Sequence, residues 1–323
     1  MAPVPPHNDH PAAAEELVLI LARLAALSSP TTIPRAPSFS VSIPGWDHPQ
    51  MVNLFARVPD VAGALGASVR FVYAALYGTL SDDLPVAMTA AAAAAPFPAP
   101  TRTTTTDQSF APHRPTATVM PDASGNYPPE YQDQDYQQPQ PWHRPGARVP
   151  VLKESISIHF HDFEGIAYTT NPSPTTAELH VSTQWLKGMA THATDPAGDQ
   201  EYVRGVMGVF VHEAVHMYQG NGHGHAPGGL VEGVADWVRL RSGLVPRHWR
   251  RRIDCNWDAG YDATAYFLEA IDRRVCAAFP QKLNATLVGT RWSEQLFADV
   301  TGGIPLAVLW DMYCEDVRAG ISA

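Results

Sequence analysis

Two histidines four residues apart, His212 and His216, constrain this chain more than any other feature of it. On a helix that spacing places both imidazoles on one face, one turn apart, where two neutral ring nitrogens can grip one zinc ion. Glu213 stands beside the first of them, where it can take a proton from a water that such an ion acidifies. This is the local pattern of a metallopeptidase helix. The alternative is a helix surface whose polar residues coincide by chance, and the surrounding sequence decides between the two.

The surroundings favour a site. Val203, Val206, Met207, Phe210, Val211, Ala214, Val215 and Tyr218 recur at helical spacing, which predicts a helix with Asp199 as its N-cap and Gly220 as its stop. His212 and His216 lie beside this apolar stripe, where an imidazole without a partner is costly to bury. A glycine-rich reversal over residues 220–229 leads into a second helix over about 230–241, ending before Gly243. It carries Glu232 and Asp236 one turn apart, so both can face the histidine pair. Glu232 is the candidate third ligand, because a carboxylate added to two imidazoles leaves a fourth position open for water. Asp236 is the candidate acceptor for the free ring N–H of His212 or His216, fixing the tautomer and raising ligand basicity. A rival third ligand is His223, with His225 behind it. One class of zinc peptidases takes its third histidine from such a loop, ten residues after the first ligand, but that position here is Gly222.

The run from His212 to His216, then Asn221-Gly222, then Ala226-Pro227-Gly228-Gly229-Leu230-Val231-Glu232-Gly233-Val234-Ala235-Asp236-Trp237-Val238-Arg239-Leu240, and later Trp257-Asp258-Ala259-Gly260-Tyr261, resembles the plant basic secretory protein family, the peptidases of plants and bacteria, of which fungal relatives exist. The resemblance covers residues 37–80 weakly and 150–318 well. It implies an α+β, zincin-like metallopeptidase domain: a small mixed β-sheet packed on helices, an active-site helix bearing the two histidines, and a helical C-terminal half. It also implies bound Zn2+ with glutamate as third ligand, and a peptide substrate held as an extended strand. The spacing from Glu232 to Asp236 is similar to the third-ligand helix of thermolysin-like enzymes. The chain departs from the family's name in being acidic, with 22 Lys+Arg against 32 Asp+Glu.

That net charge of −10 argues against nucleic acid or an anionic membrane as a main partner. Residues 1–36 are rich in Pro and Ala around one apolar run, residues 17–27, too short for a membrane span. Glu15 and Glu16 precede the run and the first basic residue is Arg23, so the positive region of a secretory signal is missing and an intracellular location is expected, with secretion as the alternative. The run reads as a short helix in a flexible extension, packed on the domain or free. Cys255, Cys276 and Cys314 form no disulfide framework and are read as buried thiols, a single disulfide being the alternative.

Residues 37–323 read as one catalytic domain. Phe39, Val41 and Ile43 alternate with polar residues as a first strand, and residues 51–77 read as one helix. Residues 89–150 combine an alanine run, a threonine run, a Tyr/Gln/Asp-rich stretch and many prolines, a composition expected of a disordered insertion. Ile156, Ile158 and Phe160 alternate with polar residues, and a turn at 162–165 into residues 166–170 suggests a hairpin, with a third segment at 178–181 as the edge to which an extended substrate could add. His159 and His161 share the polar face of their strand; with no acidic partner nearby they read as solvated. Beyond the second metal helix the chain reads as helical to its end. Asn284-Ala285-Thr286 is a glycosylation sequon, meaningful only in a secreted protein.

The expected activity is hydrolysis of peptide bonds, with zinc on His212, His216 and Glu232, Glu213 as general base, and Tyr261 either a donor to the developing oxyanion or a packing residue. The alternative is a metal-stabilised binding or defence protein with a peptidase fold and no turnover.

Overall fold

Four strands and ten helices account for the regular structure in the computed structural model, which describes residues 10–28, 36–45, 47–78 and 151–321. The expected insertion at 89–150 lies outside the described residues. The strands β1 (Ser38–Ser42), β2 (Ser155–His161), β3 (Ala167–Ser173) and β4 (Thr176–Ser182) form one mixed sheet in the order β1-β2-β4-β3. β1 and β4 both run parallel to β2, and β3 is antiparallel to β4.

This order corrects two expectations. β2 and β3 make no hairpin, and β4 is not the edge; β3 is. The reason is in the side chains that face the helices. Ile156, Ile158 and Phe160 of β2 pair with Ala177, Leu179 and Val181 of β4, all six buried, so both strands belong at the centre of the sheet. β3 presents Thr169 and Asn171 on the same face, which a sheet edge tolerates and a centre does not.

The helix α1 (Pro11–Ser28), left by the sequence as packed or free, is packed: Ala13, Leu17, Ile20 and Leu24 join the common core against α3 (Val61–Tyr77) and α5 (Pro196–His216). The single helix expected over 51–77 is two, α2 (Pro49–Arg57) and α3. Pro59 supplies no N–H and bars Val58 from helical backbone, and Asp60 then restarts the helix by accepting from the Gly63 amide at 2.9 Å. α4 (Thr183–His192) leads to α5, whose N-cap is Asp195, accepting from the Gly198 amide at 2.7 Å, with Pro196 in the first turn. Asp199 is not the cap. It is buried and accepts from Arg57 Nε at 2.8 Å.

After α5 the chain is helical, as its periodicity suggests: α6 (Gly228–Ser242), α7 (Tyr261–Arg274), α8 (Phe279–Gly289), α9 (Gln295–Thr301) and α10 (Leu306–Arg318). α5 occupies the middle, packing on α1 and α3, on α6, and on β3. Its apolar residues are buried on nearly every side, Val203, Val206, Met207, Phe210, Val211 and Val215 among them. Asn284 of the sequon is wholly buried in α8, where its Oδ1 accepts from the Gly220 amide at 2.8 Å, so the folded protein has no room for a glycan there. All three cysteines are free, but only Cys314 is buried. Among the described residues no helix is long and apolar enough to cross a membrane.

Candidate metal centre

Because α5 is enclosed, its last turn carries polar groups into the interior. His212 is 4% and Glu213 1% exposed, so neither can be read as a solvated helix-surface residue. α6 is brought against them by a tight helix pair. A β-carbon on Gly233 would stand 2.2 Å from Thr264 Cγ2 of α7, so only glycine allows this approach. Thr264 is held in turn, its hydroxyl donating to the Trp257 carbonyl at 2.8 Å and accepting from the Gly260 amide at 2.9 Å. The result presents Glu232 to the histidine pair.

His212 Nε2 lies 3.2 Å from His216 Nε2 and 3.1 Å from Glu232 Oε2, and His216 Nε2 is 3.8 Å from Glu232 Oε1. Three donor atoms of a tetrahedral zinc centre with ligand bonds near 2.05 Å would stand about 3.3 Å apart. The observed separations bracket that value. Two imidazole nitrogens and a carboxylate oxygen directed at one point also form the donor set that a borderline divalent cation prefers, so the residues fit the ion their spacing implies.

The surrounding groups orient these donors. His212 Nδ1–H donates to Asp236 Oδ1 at 2.7 Å, which turns Nε2 toward the cluster. Burial alone would keep His212 neutral, but the Asp236 and Glu232 carboxylates outweigh it and hold the imidazole well above its ordinary pKa when only protein groups act. At His216 the balance is reversed: burial dominates and lowers its pKa, with Glu232 opposing. Arg239, one turn after Asp236, is drawn down by burial and held charged by Asp236 and Glu213. Its guanidinium donates to the Leu244 carbonyl at 3.0 Å and lies over the Trp249 ring.

Three contacts at this centre have no counterpart in the sequence reading. Thr169 of β3 donates to Glu213 Oε2 at 2.9 Å and also lies 3.0 Å from the Glu213 carbonyl. Asn171, two residues on, donates to the His216 carbonyl at 3.1 Å. Gln219 places its side-chain amide 3.2 Å from His216 Nδ1 and 3.3 Å from the Val231 carbonyl, bridging the end of α5 to α6. Gln219 was detectable, being three residues beyond His216; Thr169 and Asn171 reach the site only through the position of β3.

Tyr261 opens α7 with its ring parallel to that of His212, centroids 6.3 Å apart. Its φ of 49° is a left-handed conformation rare for a side chain of that size. His223 and His225 lie in the reversal, His225 exposed, and neither belongs to a metal-capable group among the described residues. His159 does: with Glu178 and His180 it forms a second such group, so the acidic partner that the sequence seemed to lack is supplied by β4.

A family model described as peptidase of plants and bacteria matches residues 134–313, more than half of the chain. This chain belongs to that family. It is the family that the motifs around His212, Glu232 and Tyr261 resemble, and the matched segment contains every residue of the centre just described. α1, β1, α2 and α3 precede it. Neither a curated protein nor a solved structure gives a match.

Proposed function

We propose that this member of the peptidase family is a zinc-dependent, zincin-like enzyme that hydrolyses peptide bonds with water, using Glu213 as general base. The observation that carries the reading is the convergence of His212 Nε2, His216 Nε2 and Glu232 on one point, with the buried carboxylate of Glu213 beside it. The ion, when bound by His212, His216 and Glu232, would polarise the scissile carbonyl and acidify the attacking water.

The chain's own groups do the rest. Thr169 holds the Glu213 carboxylate in one orientation. Glu213 removes the proton of the attacking water and delivers it to the departing amine, which otherwise leaves as a poor anion. Asp236 keeps the His212 proton on Nδ1. Tyr261, beside His212 and held in a strained backbone conformation, offers its phenol to the oxyanion that develops on the carbonyl. β3 is the edge strand nearest this chemistry, and a substrate segment adding to it by backbone hydrogen bonds would run past Glu213.

The test couples metal content to turnover. In Glu213→Gln, zinc measured by elemental analysis should match wild type while cleavage of a peptide library falls about 10²–10⁴-fold. Glu232→Ala should lose most of the zinc and His223→Ala should keep it. Zinc retained in Glu232→Ala but lost in His223→Ala would move the site to the loop histidine. Tight zinc binding by wild type with no cleavage of any library member would leave a binding protein on a peptidase fold.

A further inference from the structure

The face of the sheet opposite α5 carries a second convergence of ligand-type side chains. In the parallel register of β2 and β4, His159 is the partner of His180, and Glu178 follows two positions earlier on the same face. One ligand atom from each of His159, Glu178 and His180 lies within 4.8 Å of the others, and His180 Nε2 is 3.4 Å from Glu178 Oε2.

These side chains are held, not loosely solvated. The His180 ring is stacked between Tyr168 on one side, at 4.4 Å, and His159 on the other, at 4.8 Å. Its Nδ1 lies 3.1 Å from His161 Nε2, and its Nε2–H donates to Glu178 Oε2; moving that proton to Nδ1, where His161 Nε2 accepts it, would free Nε2 for an ion. Thr170 donates to Glu178 Oε2 at 3.3 Å and so steadies the carboxylate. His159 Nε2 is fully buried and has no hydrogen-bond partner among the described residues, an unusual state for a ring nitrogen in a protein interior. Burial lowers the pKa of His159, His161 and His180, that of His180 to about 4.

We propose that His159, Glu178 and His180 form a second metal site for a borderline divalent transition ion such as Zn2+ or Cu2+, separate from the centre on α5. Two imidazoles and one carboxylate suit such an ion and do not suit Ca2+ or Mg2+, which take mainly oxygen ligands. The ion would cross-link β2 to β4, the two central strands, and thereby stiffen the sheet whose edge strand carries Thr169. Nothing in this site depends on the peptidase reading.

The test is metal stoichiometry by equilibrium dialysis against Zn2+ in a chain whose first site has been removed by His212→Ala with His216→Ala. This variant should still bind one equivalent, and its melting temperature should rise with added Zn2+ but not with added Mg2+. Adding His159→Ala and His180→Ala should abolish both effects. Because four alanines could impair folding, Glu178→Gln serves as a gentler arm: it keeps the shape of the side chain and should weaken the remaining zinc site at least about tenfold. Absence of zinc binding in the double variant overturns the proposal, and so does an equivalent that survives replacement of His159 and His180.

Discussion

Thr169 is the residue that best separates the proposed metal ligands from the proposed general base. Its hydroxyl reaches the carboxylate and the carbonyl of the same glutamate, 44 positions away in the chain. Thr169→Val keeps the shape and removes the hydroxyl. A hydrogen bond to a charged group is worth about 1.5–3 kcal/mol, so kcat should fall roughly 10- to 100-fold with zinc content unchanged. A parallel loss of zinc would show that Thr169 supports the helix end and not the base. The sequence marks out His212, Glu213, His216, Glu232 and Asp236 as candidates because each pair sits a helical turn or less apart, a spacing that survives any packing of the helices. Thr169, Asn171 and Arg239 were silent because their contacts depend on packing: β3 brings the first two, and nothing local marks an arginine one turn after Asp236 as half-buried against Trp249.

Among the elements, the α6–α7 pair sets how closely Glu232 approaches the histidines. Gly233→Ala would drive a methyl into Thr264, whose hydroxyl is committed on two sides, so the helices must separate. Overpacking of this kind costs about 1–3 kcal/mol, to be read from the urea midpoint, and zinc affinity should fall with it as Glu232 is displaced. Unchanged stability would mean that Thr264 can rotate away. Most element types were legible, since periods of 3.6 and 2 are properties of the segments themselves, but α4 was not read. The break at Pro59 was legible too, as Val58-Pro59-Asp60, but the apolar stripe that runs through it outweighed the proline. Strand order was not. Alternation says which face of a strand is buried, and only competition for the centre of the sheet placed β4 beside β2 and sent β3 to the edge.

For the whole molecule, the N-terminal helices and α5 are locked by a buried ion pair. Arg57 of α2, 142 positions from its partner, donates through Nε to Asp199 of α5 and lies over the Tyr202 ring, while His10 approaches the other Asp199 oxygen at 3.0 Å. Asp199→Ala would leave the guanidinium buried without its counter-charge, and breaking such a pair typically costs about 3–5 kcal/mol. Thermal unfolding should show this as a large fall in midpoint; a shift no bigger than that of an exposed aspartate would mean that water reaches Arg57. These helices also lie upstream of the segment by which the chain is recognised as a family member. α1 and α3 cover sides of α5 that are apolar, and β1 completes the sheet beside β2. The boundary drawn by similarity therefore cuts through a hydrophobic interior. Residues 134–313 expressed alone would turn those sides of α5 to water, and such a fragment should collect in the insoluble fraction while the full chain does not. The ancestry visible in the sequence and the unit able to fold have different lengths, and whoever trims this protein to its recognisable part removes the wall that encloses α5.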